Sequence, residues 1–326
     1  MRTSGERVKE YKEFSPAVLA NQIIQQVQNV FLGKDQVIRH AVIALMAKGH
    51  VLLEDVPGAG KTVLARALAR AIGGQFRRIQ FTSDLLPSDI TGVSVYSPKT
   101  ESFAFHAGPI FSNVILADEI NRAGPRTQSA LLEAMSERQV SIDLETRPLP
   151  EPFFVVATQN PHEHHGTYPL PESQMDRFLV RLSIGYPKRD IEKLIADQQG
   201  FSDKVDQAVQ AVATLPQIVG AQELVTQVNV PESVMDYALD IVEQTRELPS
   251  LEMGVSTRGL VALISASRAC AALAGRDYCL ADDVREMFVP TCEHRVLLQG
   301  RDGSGSRQEA RAVLTMILSR TPVPGA

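Results

Sequence analysis

His50-Val51-Leu52-Leu53-Glu54-Asp55-Val56-Pro57-Gly58-Ala59-Gly60-Lys61-Thr62-Val63 decides the fold. Val51, Leu52 and Leu53 form a short apolar run of the kind that becomes a buried strand. A turn rich in Gly and Pro follows, and beyond Lys61-Thr62 the residues Leu64, Leu68 and Ile72 recur at helical spacing. Where strand, glycine loop and helix follow in that order, the loop's backbone N–H groups converge on phosphates at the helix N-terminus. Gly58 and Gly60 let the backbone bend round an anion with no Cβ in the way. Lys61 can reach the β- and γ-phosphates, and the Thr62 hydroxyl can ligate Mg²⁺. The loop's candidate nucleotide contacts are Pro57, Gly58, Ala59, Gly60, Lys61, Thr62 and Val63. The general P-loop pattern has a glycine where this chain has Asp55, and an ordinary tight turn between strand and helix is the competing expectation.

Working outward, 326 residues suggest two domains and a sizeable core. A hydrophobic content of 44% and a charged content of 22% are ordinary for a folded globular chain. The net charge of −5, with no long basic block, disfavours a general binder of nucleic-acid backbone. Cys270, Cys279 and Cys292 are an odd number without metal spacing, expected to be reduced and mostly buried. Met1–Phe14 is charged and has no apolar signal region, and no run of about 18 apolar residues exists, so a cytoplasmic chain without a membrane span is expected.

Ahead of the glycine loop, Ser15–Phe31 and Gln36–Ala47 read as helices, the first opened by Ser15-Pro16. After it, Phe76–Phe81 alternates as a strand, Asp84–Gly92 is a polar loop, and Val93–His106 reads as a hairpin. Val114-Ile115-Leu116-Ala117 and Phe154–Ala157 are continuous apolar strands of the kind found in parallel sheets covered on both faces. Between them lie a helix, Thr127–Glu137, and a second hairpin within Gln139–Phe153. Leu179–Ile184 is the fifth strand. Beyond Tyr186-Pro187 strand signals stop. Asp190–Gln198, Ser202–Ala213, Glu232–Arg246, Arg258–Ala274, Asp282–Phe288 and Gln308–Ser319 read as helices.

The strand before Asp118-Glu119 delivers both carboxylates to the carboxyl edge of the sheet, where open α/β sheets bind ligands. Asp118 suits a Mg²⁺ shell and Glu119 suits an attacking water; the alternative is a pair of solvated carboxylates opening a helix.

Leu116-Ala117-Asp118-Glu119-Ile120-Asn121-Arg122-Ala123-Gly124-Pro125-Arg126-Thr127-Gln128-Ser129-Ala130-Leu131-Leu132-Glu133-Ala134-Met135-Ser136-Glu137-Arg138-Gln139-Val140 resembles the MoxR family of AAA+ ATPases. The likeness continues at Ala157-Thr158-Gln159-Asn160-Pro161, Gly166-Thr167-Tyr168-Pro169-Leu170-Pro171-Glu172 and Met175-Asp176-Arg177-Phe178. It implies an AAA+ P-loop core with a five-stranded parallel sheet and hairpin insertions over residues 1–186, then an all-α lid over 187–326. It makes Asn160 the sensor-1 residue, a neutral amide able to hold the attacking water; an Asn-Pro turn would coexist with that role. It makes Arg177 an arginine finger acting on a neighbouring subunit's nucleotide, against the alternative of a surface ion pair with Asp176 or Glu172. Arg258 is similar to the family's sensor-2 arginine, in the first turn of a helix capped by Ser256 or Thr257, although Thr257 and Gly259 stand where relatives often have proline and alanine. Gly33, within Leu32-Gly33-Lys34, matches the segment that contacts adenine through backbone groups. The hairpins match the family's two insertions, with Phe103 and Phe105 either facing a pore or packing beneath the hairpin.

The resemblance implies Mg²⁺-dependent ATP hydrolysis in a homo-oligomeric ring, a hexamer in family terms, and a chaperone-like role with a von Willebrand A-domain partner. Alternatives are a nucleic-acid-stimulated motor, a metal-chelatase motor subunit, and a nucleotide switch with negligible turnover. His162, His164 and His165 share one loop without the spacing that would aim them at one metal.

Overall fold

The computed structural model describes residues 15–55, 58–99, 101–142, 145–160, 167–197, 204–300 and 306–324. Its centre is a five-stranded sheet of β1 (Val51–Glu54), β2 (Phe76–Gln80), β5 (Val114–Asp118), β8 (Phe154–Gln159) and β9 (Val180–Leu182). The spatial order is β2-β5-β8-β1-β9, and every pairing is parallel. The apolar runs are explained by burial on both faces. Val51, Leu53, Val114, Leu116, Phe154 and Val156 join one core cluster; Leu52, Ile115, Ala117, Val155 and Ala157 join the other. Alternation of side chains along each strand produces that division.

The second cluster is closed by Leu131, Leu132 and Met135 of the helix Pro125–Glu137. The first is closed by helices Pro16–Gln28, Asp35–Met46 and Lys61–Ala71. It runs on without a break into Ile218, Ile241, Leu263 and Phe288 of the C-terminal helices, so the helical part past Tyr186 shares its interior with the helices before β1.

Two hairpins project from the sheet: β3 (Gly92–Ser97) with β4 (Ser102–Ala107), and β6 (Gln139–Ile142) with β7 (Glu145–Pro148). Phe103 is 72% exposed and stacks edge-on against Tyr96 at 5.4 Å. Phe105 is half-buried between Phe111 and the Arg147 guanidinium, which sits 4.1 Å above its ring. The two aromatics thus divide between exposure and packing, and Arg147 joins the hairpins.

Four elements differ from the sequence expectation. The Asp84–Gly92 loop contains a short helix, Pro87–Thr91, whose N–H at Leu86 is held by Asp89 at 2.9 Å. The helix expected over Ser202–Ala213 covers only Val205–Ala208, Ser202 and Asp203 lying outside the described residues. The chain then runs extended because tertiary partners take its backbone: Val212 N–H donates to Ala71 O at 2.9 Å and Gln210 N–H to the Gln26 side chain at 2.9 Å. A helix not anticipated, Leu215–Thr226, follows, with Thr214 and Gln217 forming its capping box. Past Tyr186 the chain is helical except for a small antiparallel ribbon, β10 (Leu251–Met253) with β11 (Leu297–Leu298).

Candidate active site

Because β5, β8 and β1 are neighbours, their carboxyl ends bring together Asp118, Asn160 and the glycine loop. A cleft of about 660 Å³ opens there. Gly58 through Val63 line one side; Asp118, Glu119 and Asn160 line the floor. Val30, Phe31, Leu32, Ile184 and Ile195 give it an apolar end, walled by Tyr186 and Pro187. Pro57 lies outside the described residues, as do His162, His164 and His165.

Gly58 and Gly60 both hold left-handed backbone, at φ 83° and 89°. A Cβ at Gly60 would also stand 3.0 Å from the Phe31 ring. These glycines allow the loop to turn into the helix Lys61–Ala71, whose first three residues line the cleft. The Lys61 ammonium donates to the Asp55 carbonyl at 2.6 Å. Asp55, standing in the place of the pattern's first glycine, is buried, and its Oδ2 accepts from Ile184 N–H (2.5 Å), Gly185 N–H (2.6 Å) and Ser183 Oγ (3.1 Å). The carboxylate therefore ties the start of the glycine loop to the segment that follows β9. Leu32 and Lys34 line the cleft, and Lys34 donates to Tyr186 O at 2.8 Å. Gly33, between them, has φ 70° and is not among the lining residues; Ile191 packs against it.

Asp118 and Glu119 are held by residues that sequence reasoning missed. Thr158, fully buried on β8, donates to Asp118 Oδ1 at 2.7 Å and accepts from Glu119 N–H at 2.8 Å. Arg78 on β2 donates to Asp118 Oδ2 through Nε at 3.0 Å and Nη2 at 2.5 Å. Gln80 donates to Glu119 Oε2 at 2.7 Å, and Arg122 pairs with the same oxygen at 3.1 Å. Glu119 itself has φ 57°, a conformation that non-glycine residues adopt at a cost of about 1–3 kcal/mol. The alternation of Phe76–Phe81 already placed Arg78 and Gln80 on one face; that β2 lies beside β5, pairing Gln80 with Asp118, is a long-range fact.

Arg177 and Arg258 are not among the residues lining the cleft. Arg177 donates through Nη1 to Leu132 O at 2.8 Å and to Ser136 Oγ, rather than pairing with Asp176 or Glu172. Its Nε has no hydrogen-bond partner among the described residues. Arg258 has a side chain 61% exposed and lies 3.7 Å from Asp176 Oδ2; Ser256 caps its helix, Oγ accepting from Gly259 N–H at 3.1 Å. The two arginines flank Asp176. All three cysteines are free and buried. Among the described residues no helix is long and apolar enough to cross a membrane.

A glycine loop opening a helix, an acidic pair on the next strand but one and a helical region beyond the sheet define a P-loop ATPase of the AAA type. Comparison with known proteins agrees. Residues 50–180 match the family model "ATPase family associated with various cellular activities (AAA)", and residues 243–316 match "AAA lid domain". The chain is 46% identical to Bacillus subtilis YeaC, over 94% of this chain and 95% of that protein. It is 40% identical to the Mycobacterium tuberculosis protein named Chaperone MoxR1, over 92% of this chain and 81% of that protein. A crystal structure from Cytophaga hutchinsonii, of a protein assigned as an ATPase, superposes with a TM-score of 0.84 at 34% identity, covering 98% of each chain. The chain belongs to the MoxR family of AAA+ ATPases. It binds nucleotide and is an ATPase.

Proposed function

We propose that the chain hydrolyses the β–γ bond of ATP with Mg²⁺ in a closed ring of copies, each completing its neighbour's site, and that turnover drives a chaperone-like motor. One observation carries this: Lys61, Thr62, Asp118, Glu119 and Asn160 line one cleft, whereas Arg177 and Arg258 lie outside it. Phosphoryl transfer places charge on the γ-phosphate oxygens, which a guanidinium stabilises. Arg78 does line the cleft, but it is engaged with Asp118. A head-to-tail interface that closes on itself supplies the missing arginine and produces a ring.

Within the cleft, Lys61 neutralises charge on the β- and γ-phosphates. Glu119 takes the proton of the attacking water, and Asn160 orients that water. Gln80, Arg122 and Thr158 keep Glu119 in place for this. Thr62 and Asp118 would hold Mg²⁺, and their chemistry fits: Mg²⁺ takes one or two protein oxygens together with phosphate oxygens and water rather than a cage of side chains. Among the described residues no cluster of His, Cys, Asp and Glu competes for it. Mg²⁺ would supply further charge neutralisation at the β- and γ-oxygens. Residues 1–186 act as the nucleotide-binding core and 187–326 as the lid that nucleotide moves. A ring of six in the cytoplasm and a von Willebrand A-domain partner follow from the family resemblance.

The test is steady-state ATP hydrolysis with Mg²⁺ or with EDTA, on wild type and Glu119→Gln. Turnover should require Mg²⁺ and fall by about 100-fold or more in Glu119→Gln, while nucleotide binding persists. Equal turnover in the two proteins would reduce the chain to a nucleotide switch. The partner is tested by whether a purified von Willebrand A-domain protein binds wild type in ATP and loses affinity for Lys61→Ala.

A further inference from the structure

Arg295 follows the helix Ala281–Cys292, and its side chain is 3% exposed. Nε donates to Asp176 Oδ1 at 2.6 Å. Nη2 donates to the carbonyls of Asp176 at 3.0 Å and Phe178 at 2.7 Å. Nη1 donates to Leu179 O at 3.2 Å and to Thr291 O. One guanidinium thus grips the backbone on both sides of Arg177 and the carboxylate beside it. A guanidinium matches such a set because its donors form a rigid planar fork. Burying a charge is costly, and an apolar side chain of similar volume often gives equal or greater stability, so this arginine calls for a positional explanation.

The helix Thr257–Leu273 begins directly against Arg295. A Cβ at Gly259 would stand 3.0 Å from Arg295 Cδ and 2.6 Å from Val255 Cγ1, so glycine permits the approach. The preceding residue is Arg258. Asp176 divides its two oxygens, Oδ1 to Arg295 and Oδ2 toward Arg258. The finger segment and the first turn of the lid helix are therefore joined through one buried guanidinium and one carboxylate.

We propose that Arg295 is the positioning residue of the Arg177 finger, holding the Asp176–Leu179 backbone against the start of the Arg258 helix so that both arginines face a neighbouring subunit in a fixed relation. This rests on Arg177 acting on the neighbour's nucleotide. Movement of the lid in one subunit then alters the arginines presented to the next, which couples the two sites.

The test mixes two kinds of subunit, each inactive alone. The recipient is Arg177→Ala, with an intact cleft and no finger; the donor is Glu119→Gln, with an intact finger and no hydrolysis. Activity regained on mixing reports a finger working between subunits. Arg295→Lys, which keeps the charge and loses the fork, is then placed in the donor or in the recipient, and Asp176→Asn likewise. Thermal unfolding and binding of a fluorescent ATP analogue are measured on every variant, and Asp176→Asn carries the same comparison if Arg295→Lys fails to fold. In the donor either change should cut the regained activity by roughly 10- to 100-fold, the effect of a small misplacement of a catalytic group. In the recipient it should leave that activity close to the unmodified mixture. Equal losses in the two positions, or no loss in the donor, overturn the proposal. A starting mixture that regains nothing overturns the finger assignment itself, so the two failures are separable.

Discussion

Replacing Asp55 by glycine restores the general P-loop pattern, and the structure predicts that this harms the protein. Asp55 Oδ2 accepts from Ile184 N–H, Gly185 N–H and Ser183 Oγ. Ile184 is buried, so glycine at position 55 leaves its N–H without a partner in the interior. An orphaned buried donor costs about 1–3 kcal/mol, and two are orphaned here, one of them partly exposed. Glycine adds about 0.5–1 kcal/mol of backbone entropy in the unfolded chain. The expected loss is about 3–4 kcal/mol in urea unfolding. Gly185, Tyr186 and Pro187 also wall the cleft, so nucleotide affinity should fall by about tenfold, or about 1.4 kcal/mol. Asp55→Asn keeps one acceptor oxygen and should lose about half the stability that glycine does. A glycine variant within about 0.5 kcal/mol of wild type, with unchanged affinity, would refute the reasoning.

Thr158→Val keeps shape but removes the donor to Asp118 and the acceptor for Glu119 N–H; kcat should fall by roughly 10- to 100-fold with KM little changed, checked by steady-state kinetics. The His50 imidazole is buried, accepting from Val155 N–H at 3.1 Å and contacting Met135 O at 3.2 Å, and desolvation pulls its pKa from 6.5 down to about 4. The unfolded chain therefore takes up the proton first. Stability from this group is complete above about pH 6.5 and is lost as pH falls toward about 4, by about 3 kcal/mol in all. Denaturant unfolding across that window should show a shallower pH dependence in His50→Asn than in wild type, and identical slopes would contradict it.

The parts of the fold legible in the sequence were those set by local pattern. The apolar runs at Val51–Leu53, Val114–Ala117 and Phe154–Ala157 are buried strands because a doubly covered sheet leaves no polar face for them. The Gly58–Thr62 loop and the Asp118-Glu119 pair stand out by residue type and position, and the fold brings them to one cleft. What stayed hidden depends on distant partners. Ser202–Ala213 looked helical until Ala71 and Gln26 took its backbone donors. The helix Leu215–Thr226 carried a start signal in Thr214-Leu215-Pro216-Gln217, but Val219 and Leu224 lie off its buried face of Ile218, Ala221, Gln222 and Val225, and a polar Gln222 sits within that face, so the apolar stripe is blurred. The adjacency of β2 and β5, which brings Arg78 and Gln80 to the acidic pair, and the path of Arg295 to Asp176 are consequences of topology, not of spacing along the chain.

The site's dependence on a neighbour is tested most directly by specific ATPase activity across protein concentration, for wild type and Arg177→Ala, with nucleotide affinity measured on both. Activity per subunit should rise with concentration as rings assemble, and Arg177→Ala should bind nucleotide as wild type does while losing roughly 10³-fold or more in turnover. Activity that is independent of concentration and indifferent to Arg177 would contradict a shared active site.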